Sequence, residues 1–242
     1  PKTVIWDNYR SVVTNSFIWS GYANTLLRTV VGTGLSLIFT SMGAYVLSKR
    51  FFPHRTFWTL LIVFTMFFSG GLIPNYLLIK ELRLIDTYGA LVLPGMISAY
   101  NLVIMRNFFQ GLPEEIEESC MMDGAGRFRI FWQFVLPLSK PILATVGLWL
   151  AVGHWNAWFD ALIYITNDKM LPLQVVLRRI ILTGSKEIME FDAVAQAAQD
   201  AATSSEGLKA ASIIVATLPI LMVYPFLQKY FVQGIIVGSL KG

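Results

Sequence analysis

A single cysteine, Cys120, in a chain of 242 residues excludes a disulfide framework within the chain and any zinc site built from cysteine pairs. Histidine is nearly as scarce. His54 and His154 are the two present, and neither sits in an HExxH arrangement, so a metal hydrolase finds no ligands at the required spacing. There is no GxxxxGKS/T loop to cradle phosphates and no Gly-x-Ser-x-Gly elbow to present a nucleophile, so the chain is expected not to be an enzyme and not to bind ATP itself. Charge is thin as well: Asp, Glu, Lys and Arg make up 14% of the residues, too few to cover a water-facing surface. The formal net charge of +4 comes from scattered Lys and Arg that form no basic stripe, which argues against nucleic acid as a partner.

Most of what remains is apolar. Hydrophobic residues are 55% of the chain and come in long blocks rather than alternating patterns, which makes a lipid bilayer the expected solvent. About twenty apolar residues span a bilayer core. Stretches of that kind run from Tyr22 to Leu47, Phe57 to Ile79, Tyr88 to Phe109, Pro141 to Thr166 and Lys209 to Val232. The expected fold is therefore an all-α integral membrane bundle with about five visible spans. Gly32, Gly34, Gly43, Pro94 and Pro219 lie within these stretches, and such residues let neighbouring helices approach closely.

The short basic link SKRFFPHR, residues 48–55, marks a cytoplasmic loop by the positive-inside rule. From it, KELRLIDT falls outside, the loop 110–140 inside, the loop 167–208 outside and the C-terminus inside. The N-terminal segment 1–21 is then external and 22–242 is one transmembrane domain; the parity of the spans leads us to expect a sixth helix upstream. The external loop is mildly amphipathic around LPLQVVLRRIIL, then polar and alanine-rich, which suits interfacial or docking helices.

Between the third and fourth stretches lies LPEEIEESCMMDGAGRFRIFWQFVLPLSKP, residues 112–141. It reads as two short helices joined by a turn. Pro113 suits a first helical position, and Glu114, Glu115, Glu117 and Glu118 complement a positive helix N-terminus. Leu112, Ile116 and Cys120 form a narrow apolar stripe. Gly124 and Gly126 stop this helix, and a second runs from Arg127 until Pro137 and Pro141 end it. Such a unit suits a compact lever tied at both ends to membrane spans; a surface-lying amphipathic loop explains it too.

Glu118-Ser119-Cys120, then Asp123-Gly124-Ala125, then Ile130 and Leu136-Pro137 resemble, in residue type and spacing, the EAA loop of ATP-binding-cassette importer permeases. FTMFFSGGLIPNYLLIKELRLIDT, GHWNAWFDALIYI, LPLQVVLRRI and PFLQKYFVQGIIVGSLKG extend the resemblance over nearly the whole chain. They look like carbohydrate-uptake permeases related to the smaller maltose permease subunit, and more closely like the oligosaccharide branch that includes alginate importer permeases. The resemblance implies a type I importer transmembrane domain in the bacterial cytoplasmic (inner) membrane. It implies a cytoplasmic coupling helix docked in a groove of an ATPase subunit, with Glu118, Ser119, Cys120, Asp123, Gly124, Ala125 and Pro137 at coupling positions; Ser119 and Cys120 stand where the family has alanines. The partners it implies are a second homologous permease subunit, a dimer of ATP-binding-cassette ATPase subunits and an extracytoplasmic solute-binding protein. ATP and magnesium would belong to the ATPase, with no cofactor on this chain.

Six polar or aromatic residues, His154, Trp155, Asn156, Trp158, Asp160 and Tyr164, fall in one expected span. Intramembrane ionisable groups are costly and face an interior or a wet cavity, which makes His154 and Asp160 candidates for a substrate pathway. Trp155 and Trp158, three apart, share a helical face and suit stacking on sugar rings; interface anchoring explains them too, and Asp160 also suits pairing with a neighbouring subunit or capping a break. Asn101, Met105 and Asn107 are further candidates, although Asn101 also suits a hydrogen bond between helices. Arg28, near the external end of the first span, is long enough to snorkel outward. The expected function is oligosaccharide import by alternating access, powered by the partner ATPase. The alternatives are an importer permease for a non-sugar solute and an ion-driven secondary transporter.

Overall fold

The computed structural model describes residues 7–183 and scattered positions between 207 and 222. Most of the expected fifth span, Lys209 to Val232, and most of the external loop 167–208 lie outside the described residues. Every regular element among the described residues is helical.

Helix α1 (Asp7–Thr14) leads into α2 (Ser16–Ser48), the backbone of the molecule. Asn15 starts α2 by accepting the Phe17 N–H on its side-chain oxygen at 2.9 Å, which satisfies one of the donors that a helix start leaves free. At about 1.5 Å per residue, its 33 residues exceed the thickness of a bilayer core. Among the described residues, α2 alone is long and apolar enough to cross a membrane unaided; the number is up to three if each of two bent helix pairs forms one span.

Helix breaks, the first of those bends among them, correct three of the continuous spans expected from hydropathy. The stretch Phe57 to Ile79 is α3 (Arg55–Phe67) and α4 (Leu72–Glu81), set at 111° to each other. Gly71 makes the corner at φ +84°, a conformation that a side chain would strain, and Pro74 follows in the first turn of α4, where a missing N–H removes no helical bond. The stretch Tyr88 to Phe109 is α5 (Tyr88–Val92) and α6 (Ala99–Gln110), divided around Pro94 and Gly95. The stretch Pro141 to Thr166 is α10 (Lys140–Asn156) and α11 (Phe159–Tyr164), with an extended Ala157 between them.

Before that pair, the loop 110–140 folds into α7 (Glu114–Met122), α8 (Arg127–Ile130), a π-helical turn (Phe131–Val135) and α9 (Leu136–Leu138). The two-helix reading holds, but Pro137 does not end the second helix. The Leu136 N–H reaches the Phe131 carbonyl, and this wider turn just before Pro137 accommodates a ring that an α-turn would press against the preceding carbonyls. The chain turns instead at Ser139, entering α10 at 82°. After α11 come a 3-10 turn (Asp168–Met170) and α12 (Leu173–Thr183).

Helix α2 packs against α10, α6 and α12. One core at its start gathers Ile18, Leu91, Trp155, Ala161, Leu173 and Val175. Another at its end gathers Tyr45, Leu102, Met105, Phe109, Ile130 and Phe131. No residue of α3 is fully buried; Ile62 packs on the core at the end of α2, and most other apolar side chains of α3 are exposed, as expected where lipid or another subunit is the solvent.

Candidate coupling segment and helix-break site

Two constellations of sequence candidates sit near opposite ends of α2. The first is the α7–α8 segment. Helix α7 closes with the Gly124 N–H on the Met121 carbonyl and the Ala125 N–H on the Cys120 carbonyl, both at 3.0 Å. This pairing satisfies the last helical carbonyls and requires a left-handed residue, which Gly124 supplies at φ +79°. Cys120 is buried in the core at the end of α2, with Leu112 packed against it and Ile116 half-buried. The apolar stripe is thus seated on this chain. Glu118, Ser119, Asp123, Gly124 and Pro137 are exposed and Ala125 is half-buried. Met122, beside them, is 89% exposed, so the outer edge of the turn is polar with an apolar knob.

Glu117 points the other way. Its carboxylate pairs with the Lys49 ammonium and accepts the Tyr45 hydroxyl at 3.2 Å. Neither Tyr45 nor Lys49 emerged from the sequence as a site residue, because a charge after one span and a charge in a distant loop carry no joint signature.

The second constellation surrounds the break between α10 and α11. Arg28, about three turns inside α2, does not reach outward as its position suggested: it is 3% exposed. Its guanidinium forms an ion pair with Asp160 and donates to the Leu91 carbonyl at 3.2 Å and the Ala157 carbonyl at 3.4 Å. The physical reason is the two broken helices. They free carbonyls in the packed interior beside α2, and a buried arginine is the donor that serves them. Asp160 also accepts the Ala161 N–H at the start of α11, at 2.9 Å.

The break separates the two tryptophans expected to share a helical face. Trp155 is buried in the core at the start of α2, whereas Trp158 lies beyond the corner with the Arg178 guanidinium 3.9 Å above its ring. His154 lies against Gly32 of α2 so closely that a Cβ there would come within 2.6 Å of Nε2. Asn156 is exposed and donates to the Val152 carbonyl at 3.0 Å. Tyr164 is buried against Tyr76, their rings stacked at 6.3 Å, and Asn101 is buried on α6 next to its Ser98 cap.

Below the break, the turn after α4 is clasped to the residues after α11. The Asp86 N–H donates to the Tyr164 carbonyl at 2.9 Å, and its carboxylate accepts the Thr166 hydroxyl and the backbone N–H groups of Thr166 and Asn167. These bonds, the Thr166 hydroxyl foremost, hold the Asp86 carboxyl below the usual aspartate range.

Residues 32–237 match the protein family described as binding-protein-dependent transport system inner membrane component. Protein LplC of Bacillus subtilis strain 168 is 46% identical over all of this chain and 81% of its own length. The polygalacturonan/rhamnogalacturonan transport system permease protein YtcP of the same organism is 41% identical over all of this chain and 84% of its own. The crystal structure of a bacterial ABC transporter involved in the import of the acidic polysaccharide alginate is similar at a TM-score of 0.88 and 35% identity, covering 94% of this chain and 80% of that one.

Proposed function

Because the chain belongs to the family of binding-protein-dependent transport system inner membrane components, we propose that it is one permease subunit of an importer that carries oligosaccharides across the cytoplasmic membrane. Its partners are a second permease subunit, a pair of ATPase subunits holding ATP and magnesium, and an external solute-binding protein. The observation that carries the coupling role is the face of α7 and its turn. Glu118, Ser119, Asp123 and Met122 stand outward while Cys120 and Leu112 anchor the same helix inward. A helix seated on one side and free on the other is built to be gripped by a partner.

The mechanism follows from how that segment is attached. An ATPase groove takes the exposed edge, with Glu118 as its charged contact, and closure of the ATPase pair displaces α7. The displacement enters the membrane through α6 before the segment and through the bend at Ser139 after it. Alternating access requires helices that reorient about fixed points, and the corners at Gly71, at Pro94 and after Asn156 supply them. His154, Asn156, Trp158 and Asp160 at the last corner are the proposed lining of the sugar path. Trp155, Tyr164 and Asn101 support it from within the packed interior.

The relatives named for polygalacturonan/rhamnogalacturonan transport and for alginate import favour fragments of acidic polysaccharides as the substrate class. The test is ATP hydrolysis by the purified complex in lipid with its binding protein, challenged with a saccharide panel, in wild type and in Glu118→Lys. Stimulation by one saccharide class that disappears in the variant is the expected result. Absence of any associated ATPase would reject the proposal in favour of ion-driven transport.

A further inference from the structure

We infer that the basic link following α2 is a clamp on the coupling segment, with Lys49, Tyr45 and Glu117 as positioning residues that make α7 move with α2 as one body. The inference deepens the coupling role proposed above and rests on it. Three consecutive residues of the link each take one residue of the segment: Lys49 pairs with Glu117, Arg50 lies 3.5 Å from Glu114, and the Phe51 ring stacks under the Arg127 guanidinium at 3.5 Å. The grip therefore reaches both α7 and α8, one on each side of the Gly124 turn.

The contacts are unequal. Arg50 and Glu114 are 81% and 63% exposed, where an ion pair is worth little. Lys49 and Glu117 are 13% and 12% exposed, the ammonium lies 5.0 Å from the centre of the Tyr45 ring, and the Tyr45 hydroxyl holds the second carboxylate oxygen. A pair so far removed from water is weakly screened, and losing either member strands the other. From the third side, Arg106 of α6 donates to the Leu47 carbonyl at 3.1 Å, which ties α6 to the same helix end.

Glu117 and Glu118 are neighbours in sequence but about 100° apart around the helix. One faces the clamp and the other faces outward. Docking and clamping thus use different faces of α7, so weakening the clamp leaves the docking face intact. From Ser48, next to Lys49, helix α2 then runs without a break to Arg28 and Gly32, which contact the α10–α11 corner and His154. A lever bolted to an unbroken rod delivers ATPase motion to that corner; an unbolted one slips on its apolar stripe.

The test uses the whole importer complex in lipid. Spin labels at Glu115→Cys on the exposed first turn of α7 and Val30→Cys on the exposed side of α2 report their separation with and without trapped ATP. ATP hydrolysis and uptake of labelled oligogalacturonate and alginate oligosaccharide are followed in parallel. In the wild-type background the label separation should be the same in both nucleotide states, whereas Lys49→Met and Glu117→Gln should broaden and shift it while retaining the ATPase subunits. Uptake per ATP hydrolysed should fall at least about fivefold in these variants, the lower end of the usual range for coupling between sites. Lys49→Arg should keep the wild-type ratio, and exchanging the charges in Lys49→Glu with Glu117→Lys should restore most of it. A wild-type label separation that changes on ATP trapping overturns the clamp, as does an exchanged pair no better than the single variants. Retention of the ATPase and normal uptake in Glu118→Lys would instead strike the docking reading, an outcome the clamp variants alone do not produce.

Discussion

Replacing Gly32 by alanine forces a methyl group into the space of the His154 ring. The Cβ would lie 2.6 Å from Nε2, 2.7 Å from Cε1 and 3.0 Å from Cδ2, closer than side chains ever pack, so the imidazole or the α2–α10 contact must shift. Overpacking of this kind costs about 1–3 kcal/mol, and the better helix propensity of alanine returns about 1 kcal/mol. Gly32→Ala alone should therefore destabilise by about 0–2 kcal/mol. Once His154→Ala has emptied the site, only the propensity gain remains, and Gly32→Ala should stabilise by about 1 kcal/mol. The sign of the effect thus inverts between backgrounds, with a coupling of about 1–3 kcal/mol, as for residues in direct contact. Thermal unfolding midpoints of the four proteins in one detergent measure the cycle. Equal shifts from Gly32→Ala in both backgrounds would refute the argument, since helix propensity alone would then account for the residue.

Arg28→Met should cost about 3–5 kcal/mol and lower the amount of folded protein in the membrane, because it strands Asp160 and leaves the Leu91 and Ala157 carbonyls without their donor. Adding Asp160→Leu to that variant should recover much of the loss, measured as the same midpoint. Asp86 is held in its charged form by the folded structure, so its stabilisation is present above the ordinary aspartate value of about 4 and is lost as pH falls through the lower folded value. The midpoint difference between wild type and Asp86→Asn should accordingly be constant near neutral pH and shrink on acidification below about pH 4; a difference that grows with acid would contradict the assignment.

Apolar stretches located helical segments among the described residues, and within the proposed coupling segment residue spacing located the helix stop at Gly124 and the inward stripe of Leu112, Ile116 and Cys120. Hydropathy missed the breaks because it averages over a window, while a corner depends on one or two residues. Gly71 and Pro94–Gly95 are local signals a reader can weigh. The corner at Ala157 has none, since neither glycine nor proline stands there; it is held from a distance by Arg28. The same holds for Lys49 and Glu117, which lie 68 positions apart in the chain. Their complementarity exists only once α7 folds back beside the end of α2.

The first half of α2 shows why polarity in a membrane helix does not by itself mark a path for substrate. Three of its buried polar side chains have assigned partners, and each partner is the end of another helix. Asn24 donates to the Lys169 and Leu171 carbonyls at 2.8 and 3.1 Å and accepts the Tyr88 hydroxyl at 2.7 Å. Thr25 accepts the Leu173 N–H at the start of α12 at 2.8 Å. Arg28 takes the end of α5 and the corner between α10 and α11. Broken helices leave backbone groups that lipid cannot satisfy, and at α5, at the corner between α10 and α11 and at the start of α12 one unbroken helix carries side chains that satisfy some of them. The ends of α5 and α10 that Arg28 serves are therefore stable only while they stay registered on α2, so a motion of α2 that changes that register must also change them.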